Sequence, residues 1–235
     1  MMDWIAFDAD DTLWRNEETY QKFTDVFLEI LSGYGIDIDD PEEVIQLVVK
    51  NIKYYGYGVM MFVLSLIEIA IDLTDSKILP SDIQRLLDHG KEMLSDDVVI
   101  FSGVDLLLET LSKNTRLMLI TKGDLFHQQR KIKSSGLEQY FSAVEVVSEK
   151  STEIYREILE RYQIKPDQFI MIGNSLRSDI SPVLEVGGWA IHLSGHTTWS
   201  YENDPLDNEN QDRLLTAAGI SQVKDAIEIF QNLRE

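Results

Sequence analysis

Residues 8–12 read Asp-Ala-Asp-Asp-Thr and follow directly on the apolar run Trp4–Phe7. Asp8, Asp10 and Asp11 place three carboxylates within four residues, and like charges that close raise one another's proton affinity at a cost in stability. A bound cation, a chemical role or plain solvent exposure would each offset that cost. Asp11 reads as a helix cap or turn residue, the ordinary use of an aspartate after a strand. The Asp8–Asp10 pair differs. Strand alternation points both side chains the same way, and the repulsion brings no structural return.

Three more polar clusters follow apolar runs. Leu117–Ile120 leads into Thr121-Lys122-Gly123-Asp124, and Phe169–Ile172 into Gly173-Asn174-Ser175-Leu176-Arg177-Ser178-Asp179. Ala143–Val147 runs on to Ser148-Glu149-Lys150. Singly, Thr121 reads as a cap, Lys150 as a solvated lysine and Asp179 as a carboxylate favoured in a helix's first turn. Jointly they read otherwise. In open α/β sheets ligands bind at the carboxyl ends of the strands, so all four clusters fall on one sheet edge and face one crevice.

The elements that must carry them follow from hydrophobic patterning. Trp4–Phe7, Leu117–Ile120, Ala143–Val147, Phe169–Ile172 and Trp189–Leu193 are near-continuously apolar, as strands covered on both faces of a parallel sheet must be. Helical patterns over Leu125–Ser135, Thr152–Tyr162 and Leu176–Val186 alternate with the last four, predicting a doubly wound α/β fold with a parallel five-stranded sheet. Between Phe7 and Leu117 the chain far exceeds the ~10–12 residues that a crossover needs. The intervening patterns are all helical: Glu17–Leu31, Pro41–Lys53, Val59–Leu73, Ser81–Leu94 and Val104–Leu111. Residues 15–97 therefore read as an all-helical subdomain inserted into a core of residues 1–14 and 98–235. Tyr54, Tyr55, Tyr57 and Phe62 read as mostly its core, and the acidic stretch Glu202–Asp212 as a solvated loop.

Composition narrows the function. The 235 residues carry 21 basic and 41 acidic side chains, a formal net charge of -20, which disfavours nucleic acid and anionic membrane as partners. The absence of cysteine excludes disulfides, thiolate catalysis and cysteine-ligated zinc. The N-terminal residues lack a signal-peptide pattern, and Val59–Ile71 is too short to span a bilayer, so a cytoplasmic location is expected. His89, His127, His192 and His196 have no metal-ligand spacing, and His192 reads as a hydrogen-bonded core residue. Gly56-Tyr57-Gly58 lacks the strand–helix context of a nucleotide fingerprint. Oligomeric state is not specified.

The four clusters in this order resemble the motifs of the haloacid dehalogenase superfamily, in particular its phosphatase branch. Asp8-x-Asp10-x-Thr12 is similar to the first motif, Thr121-Lys122-Gly123 to the second, Lys150 to the third and Gly173–Asp179 to the fourth; the insertion matches the helical (C1-type) cap in position. The resemblance implies a Rossmann-like core and hydrolysis of a small phosphorylated metabolite through an aspartyl-phosphate. Asp8 would be the nucleophile and Asp10 the proton carrier. Mg2+ would be held by Asp8, Asp10, Asn174 and Asp179, and the phosphoryl group by Thr121, Lys122, Gly123 and Lys150. Trp14, Arg15, Tyr54 and Tyr57 are the expected substrate-specificity positions. Asn174 departs from the pattern, which has Asp there. A metal-independent haloacid dehalogenase and a non-catalytic ligand-binding protein of the same fold are the alternatives.

Overall fold

The computed structural model describes residues 4–195, 198–203 and 211–233. Six strands form one parallel sheet: β1 (Trp4–Phe7), β2 (Arg116–Lys122), β3 (Ala143–Val147), β4 (Phe169–Gly173), β5 (Trp189–Leu193) and β6 (Leu214–Ala217), in the order β3-β2-β1-β4-β5-β6. The sixth strand corrects the expected five. Its Leu-Leu-Thr-Ala is too short to show a period, and pairing with β5 through Leu193↔Ala217 defines it. The order reverses between β1 and β4, the topological switch point where open α/β sheets bind ligands.

Nine helices are described: α1 (Glu17–Ser32), α2 (Pro41–Tyr55), α3 (Val59–Leu73), α4 (Pro80–Ser95), α5 (Val104–Ser112), α6 (Leu125–Ser135), α7 (Thr152–Arg161), α8 (Ser181–Glu185) and α9 (Val223–Asn232). Strand alternation divides the core in two. Ile5, Phe7, Leu117, Leu119, Ile170 and Ile172 pack with Leu107 and Leu108 of α5, Ile132 of α6 and Phe230 of α9. Trp4, Ala6, Met118, Ile120, Phe169 and Met171 face the other way, onto Tyr155, Ile158 and Leu159 of α7 and Val183 of α8. Apolar burial on both faces explains why these strands read as continuous runs.

The helix expected over Leu176–Val186 is instead a π turn, Leu176–Ile180, followed by α8. Pro182 has no N–H to give to the Ser178 carbonyl, so the helical ladder cannot run through; the Tyr155 hydroxyl donates to that carbonyl at 3.1 Å instead.

The chain forms two compact units, one of residues up to Glu17 together with those from Val98 onward, the other Glu18–Asp97. The division lies three residues beyond the expected 14/15 boundary. Arg15 N–H donates to Val99 O at 3.0 Å and the Asp11 carboxylate accepts from Asn16 and Glu17 N–H at 2.9 and 3.0 Å, tying residues 15–17 to the α/β unit. The helical unit has its own core, with Phe23, Phe27, Val48, Phe62 and Leu66 at its centre. Gly90 of α4 lets α3 approach closely: a Cβ there would lie 2.4 Å from Val63 Cγ2. Of the four aromatics assigned to this core only Phe62 is buried; Tyr54 is 70% and Tyr55 45% exposed, because they end α2 beside the Gly56 C-cap. Among the described residues no helix is long and apolar enough to cross a membrane.

Candidate active site

Register determines which residues meet. Phe7 pairs with both Leu119 and Ile172, and Asp8 N–H extends the ladder to Ile172 O at 2.9 Å. β1 ends at Phe7, so the alternation expected of Asp8 and Asp10 does not hold, and the two carboxylates part. Asp8 turns to the α7 face of the sheet. Asp10 lies in the turn closed by Leu13 N–H donating to Ala9 O at 2.8 Å, where Asp11 has φ 57°, and this carries Asp10 to the α6 face.

Asp8, Lys150 and Asp179 form a buried triad. The Lys150 ammonium donates to Asp8 Oδ1 at 2.5 Å and to Asp179 Oδ1 at 2.6 Å, and the Lys150 side chain is 2% exposed. Lys150 is thus not the solvated lysine of its isolated reading. Burial raises the proton affinity of Asp8; Lys150 opposes this and the Asp179 carboxylate adds to it. Two carboxylates face one ammonium, leaving an excess negative charge that favours a further cation. Asp179 lies across the end of β4 because residue 173 is glycine: a Cβ there would come within 2.2 Å of Asp179 Oδ2.

Asp10 is held by three donors. Trp14 Nε1 donates to Oδ1 at 2.6 Å, Gln128 Nε2 to Oδ2 at 2.9 Å, and Lys131 makes an ion pair. Burial alone would raise its proton affinity, yet Lys131, Gln128 and Trp14 together hold it below the ordinary carboxylate value. Trp14 is therefore a buried partner of Asp10 rather than a substrate-facing residue, at 1% exposure. Gln128 and Lys131 went unrecognised in the sequence. Their signal is faint: α6 starts after the Asp124 cap, which places 128, 131 and 132 along one helix face with buried Ile132.

Alternation also separates Thr121 from Lys122. Thr121 faces α6 and accepts from Gln128 Nε2 at 2.8 Å. Lys122 faces the opposite side and donates to Ser178 Oγ at 2.7 Å and Glu202 Oε1 at 2.5 Å. Lys122 is therefore not beside Thr121 as assigned: a one-residue step reverses the face and puts it on the side to which Asp8 turns, its ammonium engaged by Ser178 and Glu202. Gly123 adopts φ +137°, a conformation that L side chains rarely take. Asn174 Oδ1 accepts from Thr12 Oγ1 at 3.2 Å while its Nδ2 donates to Thr198 Oγ1 at 3.0 Å. His192 Nε2 lies 3.1 Å from Asn174 O, the hydrogen bond expected of it, although the residue is half-buried and not in the core. Glu202 is buried at 6% exposure, against the expectation of a solvated loop from 202 to 212; His196 and residues 204–210 lie outside the described residues. Arg15 is exposed, its guanidinium over the Phe101 ring at 5.6 Å, and Tyr57 is half-buried in the helical unit.

Among the described residues no three His, Cys, Asp or Glu side chains alone are placed to hold a metal. The oxygens able to hold a hard cation are the Asp8 and Asp179 carboxylates, the Asn174 amide oxygen and backbone carbonyls. What the arrangement offers is a buried carboxylate at Asp8, a second carboxylate at Asp10 held separately by α6, and a lysine that neutralises one charge.

Residues 2–187 match the family of haloacid dehalogenase-like hydrolases. The crystal structure of a haloacid dehalogenase-like family hydrolase from Xanthomonas campestris is 37% identical, with a TM-score of 0.88 over 100% of this chain and 99% of that one. The glyceraldehyde 3-phosphate phosphatase of Methanocaldococcus jannaschii is 23% identical over 100% of both chains. The N-acylneuraminate-9-phosphatase of Mus musculus is 28% identical over 95 residues, so the chain matches only 38% of that enzyme's length.

Proposed function

The chain belongs to the haloacid dehalogenase-like hydrolases, and from that membership we propose that it is a magnesium-dependent phosphomonoesterase acting on a small phosphorylated metabolite. The observation that carries this reading is the pair of carboxylates at the β1/β4 switch point: Asp8 bridged by Lys150 to Asp179, with Asp10 held separately by α6. A second carboxylate two residues along the chain from the nucleophile serves a leaving group that needs a proton, as an alkoxide does.

In the first half-reaction an Asp8 oxygen attacks phosphorus, the phosphorus–alkoxide bond breaks, and Asp10 delivers a proton to the leaving oxygen. In the second, water attacks the acyl phosphate and gives its proton to Asp10, releasing inorganic phosphate and restoring Asp8. The Lys131 ion pair favours ionised Asp10, the form the second step needs; protonation for the first step requires that contact to loosen. Thr121, Lys150 and the backbone at Gly123 bind phosphoryl oxygens, where stabilising charge is most of the catalytic task.

The residues fit magnesium. Hard oxygen donors, two carboxylates and a surplus negative charge suit an ion bound through one or two carboxylates and water. Asp8, the Asp10 carbonyl, Asn174 and Asp179 would hold it, and it would supply positive charge against the transferring phosphoryl group. Lys150 already neutralising Asp8, together with the neutral amide at Asn174, favours a second reading, a metal-independent dehalogenase. Arg15 and Tyr57 are proposed to set substrate choice, with Tyr54 on the same segment as Tyr57.

The experiment is hydrolysis of an aryl phosphate with magnesium, with chelator, and by Asp8→Asn. Phosphate release that needs both magnesium and Asp8 supports the reading. Chelator-resistant halide release from a 2-haloacid would replace it with the dehalogenase. Silence towards both substrates in wild type and Asn174→Asp would leave a binding protein.

A further inference from the structure

Outside the Asp8 triad and the Asp10 cluster, the most deeply buried charged group with no role in the chemistry above is Glu202. It follows β5 on the short segment 198–203, and its carboxylate is fully used. Oε1 accepts from Lys122 Nζ at 2.5 Å; Oε2 accepts from Ser175 Oγ at 2.5 Å and Ser178 Oγ at 2.5 Å. The hydroxyls are tied in turn, Ser175 Oγ accepting from Ser178 N–H at 2.8 Å and Ser178 Oγ from Lys122 Nζ at 2.7 Å. Burial alone would raise Glu202, but Lys122 and the two hydroxyls hold it below the usual carboxylate value. An ion pair this buried is poor value as a stability device, since apolar residues of similar volume commonly do as well or better.

Its position suggests what it does. Ser175 N–H donates to Asp179 Oδ2 at 3.0 Å, so the serine that Glu202 grips also orients Asp179. The same segment supplies Thr198, whose Oγ1 accepts from Asn174 Nδ2 and thereby directs the amide oxygen toward Thr12. The loop from Asn174 to Asp179 is therefore held on one side by Lys150, at Asp179, and on the other by Glu202 and Lys122, at Ser175 and Ser178. A five-residue π turn has little intrinsic stability, so its shape depends on these anchors.

We propose that Glu202, backed by Lys122, is a positioning residue for the cation-binding loop, holding Asn174 and Asp179 where a divalent cation shared with Asp8 requires them. This rests on the magnesium-dependent reading above. It places Lys122 in the brace rather than on the phosphoryl group. Groups in such supporting shells typically change metal affinity 10–100-fold when replaced.

The test uses the full chain in wild-type, Glu202→Gln, Glu202→Asp, Lys122→Met and doubly substituted Lys122→Met/Glu202→Gln forms. Three quantities are read: magnesium binding by calorimetry, kcat and KM for an aryl phosphate at saturating magnesium, and amide exchange in peptides covering 173–180. Glu202→Gln is expected to weaken magnesium binding about 10–100-fold, lower kcat with little change in KM, and speed exchange in that loop while β1 stays protected. Glu202→Asp recovers part of the loss, and the double variant is no worse than the poorer single one, because both act on one unit. Should Glu202→Gln fail to fold, Ser178→Ala removes one anchor and is expected to give the same pattern more weakly.

Unchanged magnesium affinity and loop exchange in Glu202→Gln would overturn the proposal. So would a Lys122→Met variant with intact magnesium binding, raised KM and weakened inorganic-phosphate binding, which would make Lys122 a phosphate ligand. A wild type that neither binds magnesium nor hydrolyses phosphomonoesters removes the phosphatase reading and the cation role with it. Loop exchange then decides separately whether Glu202 braces the turn.

Discussion

Asp8 and Asp10 are chemically identical side chains in the same strand-end sequence, and their surroundings give them opposite tendencies. Burial and Asp179 raise Asp8 against the pull of Lys150, while Lys131, Gln128 and Trp14 hold Asp10 down. Lys131→Met leaves Asp10 without its ammonium while Trp14 and Gln128 still hold it. Because the Asp10 side chain is 24% exposed, the expected cost in urea unfolding is about 1–2 kcal/mol, below the ~3–5 kcal/mol of breaking a fully buried pair. The expected kinetic effect is a fall in kcat of about tenfold with KM little changed, since a misplaced proton carrier affects the chemical step rather than binding. A KM that rises with kcat intact would instead place Lys131 on the substrate.

The strand end at Gly173 and the turn that follows it form the next level. Asp179 reaches Lys150 only by crossing the space that a side chain at 173 would fill. Gly173→Ala, with its Cβ 2.2 Å from Asp179 Oδ2, is expected to displace that carboxylate. A shift of about 1 Å at a reacting site is enough to lower kcat about 10²-fold, as a steady-state assay would show. The turn itself depends on α7. Tyr155→Phe keeps the ring in the core but removes the hydroxyl donated to Ser178 O. A buried carbonyl losing its donor costs about 1–3 kcal/mol, to be read as a shift of the urea midpoint with unchanged m-value.

Over the whole chain, the net charge of -20 coexists with a site where lysines face carboxylates, so the local field is set by burial and pairing rather than by the total. His127 provides a test of folded-state titration on α6. Burial, aided by Lys131, depresses it from 6.5 to about 4. The unfolded chain then binds more protons than the folded one between these values, so the stabilisation is present above pH 6.5 and is lost as pH falls through 4. Between pH 7 and pH 5 the wild type is expected to lose on the order of 1–2 kcal/mol more than His127→Gln. Parallel pH dependence of the two in urea melts would refute this.

The parallel sheet, the inserted helical unit and the placement of four polar clusters on one sheet edge were legible in the residue order, because burial on both faces and strand direction leave local traces. Thr121, Lys150, Asn174 and Asp179 could be selected as candidates for the same reason. Their partners could not. Gln128 and Lys131 look like a solvated helix face until α6 docks on the sheet, and Glu202 looks like the start of an acidic loop until its segment folds over the π turn. Trp14 looks like a crevice residue until its indole meets Asp10, and β6 is no strand until β5 pairs with it. Lys122 shows the limit most plainly. It is adjacent to Thr121 in the chain, yet alternation sends the two to opposite faces. A strand's period can be read within a few residues, but the partner of a buried charge is set by register and packing between segments far apart in the chain.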